Sequence, residues 1–180
     1  MALTGSSYLS KSSLSSDRPR ARWVTAAICV GIGIALVLAD RWIRMPLHVP
    51  GWRGLIAVAL LVAARRWSLA RFACTGAALA AVAFNAGIGG APLSGVFTYL
   101  IPALVLDVLF LTRAQPGVWL AALAGGLANA ARLLPVLAGG RVPGVTDGAL
   151  WYPVTTHFLF GACGSLIAFA IFSTLRREQR

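Results

Sequence analysis

An apolar run long enough to cross a bilayer, VWLAALAGGLANAARLLPVL at residues 118–137, constrains this chain more than any other feature. At about 1.5 Å of rise per residue, such a run spans the roughly 30 Å of a hydrocarbon core as a helix. Lipid offers no partner to backbone N–H and C=O groups, so the segment must pair them internally, which a helix does. Five further apolar segments accompany it, at residues 23–39, 55–64, 69–86, 96–111 and 151–175. The second is short for a span and reaches across only if Trp52 and Trp67 sit at the two interfaces. The expectation is an all-α integral membrane protein, a compact bundle of six transmembrane helices covering residues 22–176. A serine-rich disordered tail precedes it at residues 1–21, without the apolar run of a cleaved signal peptide, and a short tail of residues 177–180 follows.

Composition agrees. Hydrophobic residues make up 58% of the chain and charged ones 12%, and mean hydropathy is +0.79. A soluble domain carries about twice that charge. A net charge of +11 would suggest nucleic acid in a soluble protein. Here the arginines lie between apolar segments, where topology explains them, and no nucleic-acid partner is expected. With the N-terminus inside, eleven basic residues fall on the inner side: Lys11, Arg18, Arg20, Arg22, Arg65, Arg66, Arg71, Arg113, Arg176, Arg177 and Arg180. Four fall outside, Arg41, Arg44, Arg53 and Arg141. That bias places both termini in the cytoplasm, with the chain crossing the membrane several times between them.

Arg132 is the exception, because it lies within a span. Arginine at a helix centre costs about 2.5 to 3.5 kcal/mol on insertion scales, so it faces a partner or a cavity, or else snorkels to the headgroups. Asn129 shares its helix face, as do the small residues Ala122 and Gly125, and Pro135 loosens the turn beyond. Other polar groups gather at the same outer depth. Asn85 closes the third segment, Thr98 and Tyr99 open the fourth, and Trp151, Tyr152, Thr155, Thr156 and His157 open the sixth. Convergent polar and aromatic groups at one depth are the anatomy of a small-molecule site. For Trp151 and Tyr152 an ordinary aromatic belt is the competing reading. The candidate substrate-binding residues are therefore Asn85, Tyr99, Asn129, Arg132, Trp151, Tyr152 and His157. Their chemistry suits a molecule with a ring and an anionic or strongly accepting group.

The outer links are glycine-rich at residues 85–95 and 138–148, and aromatic and basic at residues 40–53. Such backbone either dips into the bundle toward a ligand or forms plain loops. Asp107, in the inner half of the fourth segment, is expected to form a structural ion pair. Cys29, Cys74 and Cys163 all lie inside apolar segments without metal-ligand spacing, so helix packing is their expected role and no metal is implied. The five acidic residues are not spaced for acid–base work, and nucleotide and hydrolase motifs are absent, so neither an enzyme nor a cofactor is expected. On the first helix Ala27, Gly31, Ala35 and Ala39 recur every fourth residue, a flat surface for another helix.

Six short helices in a chain of this size, both ends inside, and the small-residue stripe together resemble the substrate-binding S component of an energy-coupling factor (ECF) vitamin transporter. The segments YLIPALVLDVLF, LAGGLANAARLL and HFLFGACGSLIAF share that flavour. The resemblance, over residues 22–176, implies capture of a vitamin or precursor from outside. It implies release driven by a membrane-embedded T component and two ATPase subunits, with docking on the T component through Ala27, Gly31 and Ala35. The alternative is a membrane scaffold that binds protein partners through small-residue faces and has no use for a polar site.

Overall fold

The computed structural model describes residues 17–43, 49–68, 70–111, 117–137 and 150–178, and among them the protein is all-helical with no strand. Six helices follow in order: α1 (Asp17–Trp42), α2 (Arg53–Ser68), α3 (Ala73–Gly87), α4 (residues 92–110), α5 (residues 118–137) and α6 (Trp151–Glu178). Four are long and apolar enough to cross a membrane, through the windows Arg22–Trp42, Leu93–Phe110, Val118–Val136 and Trp151–Leu175. α3 is apolar but shorter, and α2 carries Arg53, Arg65 and Arg66. Trp23, Trp42, Trp67, Trp119 and Trp151 stand exposed near helix ends, where an amphipathic ring suits a membrane interface.

The helices close into a ring in the order α1, α3, α4, α5, α6, α2, and α2 also packs on α3. Small residues set the tightest crossings. Gly125 of α5 and Gly161 of α6 are so close that a methyl group on Gly161 would overlap the Gly125 carbonyl. Gly33 of α1 packs likewise against Ala77, Ala80 and Ala81 of α3, and Gly164 of α6 against the Leu55 carbonyl of α2. Leu36, Val37, Val58, Leu61, Leu106 and Phe110 fill the space between. Contacts at the two ends show that helices consecutive in the chain alternate in direction, so that α1 and α3, and α2 and α6, run parallel side by side. Arg41 and Ile88, and Asp40 and Tyr99, meet at one end; Cys29 and Ala73, and Trp67 and Phe172, meet at the other.

Among the described residues Asp107 does not form the expected ion pair. Its carboxylate, on α4, accepts from the backbone N–H groups of Cys74 (3.4 Å) and Thr75 (2.8 Å) and from the Thr75 hydroxyl (2.7 Å). It caps the N-terminus of α3, where Phe72 supplies no side-chain cap and the helix dipole favours negative charge. That cap explains why α3 starts at Ala73 and not at residue 69. α2 runs further than the apolar segment 55–64 because its buried Arg65 donates to the carbonyls of Ala70 and Phe110 (3.3 Å), which makes a charged residue part of the packing.

Helix α1 begins at Asp17, inside the stretch expected to be disordered; residues 1–16 lie outside the described part. The thiols of buried Cys29 and Cys74 donate to the carbonyls of Ala73 (3.6 Å) and Leu61 (3.3 Å). Cys163 is exposed, outside the buried core where the other two lie.

Candidate functional site

At one end of the bundle α1, α2, α4, α5 and α6 bring polar groups around a shared space. α1 delivers Asp40 near its C-terminus, where a carboxylate faces the unfavourable end of the helix dipole and needs other donors. It has two. The Tyr99 hydroxyl donates to Oδ2 at 3.2 Å, and Arg53 at the start of α2 donates to Oδ1 at 3.5 Å.

Arg132 is held by a local defect in α4. Residues Val96–Leu100 form a π turn, in which the N–H of Ile101 bonds the Val96 carbonyl five residues back. One residue further, Pro102 has no N–H to give the Thr98 carbonyl four positions earlier. Arg132 takes that acceptor: its Nε donates to the Thr98 oxygen at 2.8 Å. Its Nη1 donates to Asn129 Oδ1 at 3.4 Å. Arg132 itself sits in a short 3-10 turn (Ala131–Leu133) just before Pro135, so α5 is also irregular here.

Asn129 is fully buried and fastens three segments. Its Nδ2 donates to the carbonyls of His157 in α6 (2.7 Å) and Gly51 before α2 (3.3 Å). Gly51 has φ of 89°, and an added Cβ would strike His157, so only glycine fits. The ring of His157 is set by its Nδ1, 2.8 Å from the Pro153 carbonyl. A carbonyl only accepts, so in the neutral ring Nδ1 carries the proton and Nε2 is an acceptor.

Between these groups lies an open cleft of about 370 Å³, bordered by Asp40, Trp52, Arg53, Phe97, Thr98, Arg132 and His157. A narrower crevice of about 10 Å³ continues from it, bounded by Asp40, Trp52, Arg53, Tyr99 and Arg132 and by the apolar Leu36, Ile56 and Ala57. The cleft thus holds one carboxylate, two guanidinium groups, an imidazole acceptor and two aromatic faces. That set suits reversible binding of a polar ring compound.

No known protein family, curated protein or solved structure matches this chain.

The residues singled out in the sequence divide into three groups. Arg132 and His157 border the cleft, Tyr99 borders the crevice, and Asn129 stands behind Arg132. Tyr99 is buried with its hydroxyl on Asp40, so it positions the carboxylate and offers no open face. Trp151 and Tyr152 are exposed, stack edge to face with ring centroids 6.1 Å apart, and do not border the cleft. Asn85 is buried in the turn that ends α3, against Gly90, and does not border it either. The link at residues 85–95 is that turn plus the start of α4, closed by a bond from the Gly90 N–H to the Asn85 carbonyl (2.8 Å). The link at residues 138–148 lies outside the described residues.

Ala27 and Gly31 are exposed on α1 and Ala35 is half-buried; a Cβ on Gly31 would meet nothing within 4 Å.

Asp40, Trp52 and Arg53 were not among the residues expected in the site. An acidic residue at the C-terminus of an apolar helix, against the dipole, is the signal that would have found Asp40.

Proposed function

We propose that this chain is the substrate-capture subunit of an ECF-type importer, binding a small vitamin-like molecule in the cleft and passing it to a T component driven by ATPases. One observation carries the reading: an otherwise apolar bundle gathers Asp40, Arg53, Arg132 and His157 around a cleft of about 370 Å³ at one end. Intramembrane charge is costly, and a ligand site is the common reason for keeping it. In this reading all six helices cross a prokaryotic cytoplasmic membrane, both termini lie inside, and the cleft opens outward. The chain performs no covalent chemistry. Ala27, Gly31 and Ala35 form the docking face, and the open space around Gly31 leaves room for a partner helix.

Native mass spectrometry of the purified protein tests the reading. A bound small molecule, together with T and ATPase subunits in the same preparation, is the expected result. The exposed small-residue face of α1 equally favours a scaffold that binds only protein partners. A constitutive protein complex with an empty cleft would select that alternative. Cysteine labelling at Ser6 and Glu178, after replacing the native cysteines, should report both positions on the cytoplasmic side.

A further inference from the structure

Asp40 and Arg132 border the same crevice and the same cleft. Among the described residues they form no ion pair with each other; Asp40 pairs with Arg53 at 3.5 Å. Opposite charges outside bulk water attract strongly, so each must be held back. Thr98 and Asn129 hold Arg132, at 2.8 and 3.4 Å, and Tyr99 and Arg53 hold Asp40, at 3.2 and 3.5 Å. The crevice they share has about 10 Å³ of free space, enough for about one water-sized group.

Each partner keeps binding capacity toward that space. A carboxylate offers about four lone-pair sites, and Asp40 uses two of them in long bonds. Arg132 uses Nε and Nη1, which leaves Nη2 as a donor among the described residues. A ligand carboxylate would satisfy Arg132 but has no donor for Asp40, and an ammonium would satisfy Asp40 but has no acceptor for Arg132. A neutral group with a donor beside an acceptor satisfies both.

Resting on the capture reading above, we propose that the cleft recognises the N–H/C=O edge of a cyclic amide carried on a flat ring system. The N–H donates to Asp40, the carbonyl accepts from Arg132, and the ring lies against Trp52 and Phe97, which border the wider cleft. This replaces the anionic group that Arg132 alone suggested.

The test uses the full chain in lipid nanodiscs and three probes of matched size: 2-quinolone, its N-methyl derivative and 2-naphthoate. 2-Quinolone should bind at least about tenfold more tightly than either of the others, because each lacks one half of the paired edge. In Asp40→Asn the advantage over the N-methyl compound should fall to about threefold or less. Tightest binding by 2-naphthoate, or an N-methyl group without cost, would overturn the amide-edge inference and leave the capture reading intact. Binding by none of the probes would overturn the inference too, and the co-purified ligand in native mass spectrometry then decides the capture reading separately.

Discussion

The two ends of the bundle each hold a carboxylate and a guanidinium, and use them in opposite ways. At the end away from the cleft, Asp107 receives three donors from the start of α3, and Arg65 donates to the carbonyls of Ala70 and Phe110. Both are almost fully enclosed by protein. At the other end, Asp40 holds two longer contacts, Arg132 holds two of its own, and both border open space. The same charges thus act as fasteners where protein encloses them and line the candidate site where they border open space. Burial separates the two uses, and for the carboxylates so does the number of donors engaged, three on Asp107 against two on Asp40.

Replacing the fasteners should cost the most. Asp107→Ala leaves the Cys74 and Thr75 N–H groups uncapped inside protein and should destabilise the fold by about 3 kcal/mol. Denaturant titration in mixed micelles measures it, and Asp40→Ala in parallel should lose less than about 1 kcal/mol. Equal losses would erase the distinction between the ends.

Next comes Gly54→Ala, which places a methyl group on the buried Asn129 amide. Displacing that amide breaks its links to Gly51 and His157, so about 2 kcal/mol of stability should go together with ligand binding. Normal affinity in this variant would show that Asn129 does not hold the cleft in shape.

Arg132→Ala should weaken binding of the co-purified ligand by about tenfold, with little change in unfolding. Arg132→Lys should recover only part, since a point charge cannot hold the Thr98 carbonyl and a ligand at once. Calorimetric titration of both variants checks this, and unchanged affinity would make Arg132 a fastener like Arg65.

The smallest effect on the chain itself is expected from Gly31→Leu. The position is open, so stability should move by less than about 0.5 kcal/mol and ligand binding not at all, while transport by the assembled complex falls. Loss of binding would tie this face of α1 to the cleft.

Helix placement was legible in the sequence because it depends on local composition. All six apolar segments became helices, and α5 and α6 start at residues 118 and 151 as expected. The ends of α2 and α3 were not legible, since they depend on Arg65 meeting Phe110 and Asp107 meeting Thr75 across more than thirty residues. The cleft was half legible. Arg132 and His157 stood out as polar intruders in apolar spans. Asp40 reads as a link residue until Tyr99, fifty-nine positions away, is seen to donate to it. The π turn left no mark beyond Pro102, whose missing N–H made sense only once Arg132 was beside Thr98.

α2 has a consequence for how the protein is made. It packs on α1, α3 and α6, yet it is not among the four helices long and apolar enough to enter a bilayer by themselves. Its largest contact is with α6, which the ribosome delivers only after α3, α4 and α5. Until then α2 waits with Gly164 and its neighbours still missing, held chiefly by α1 and α3. The arrival of α6 is thus a late docking step that completes the packing of α2.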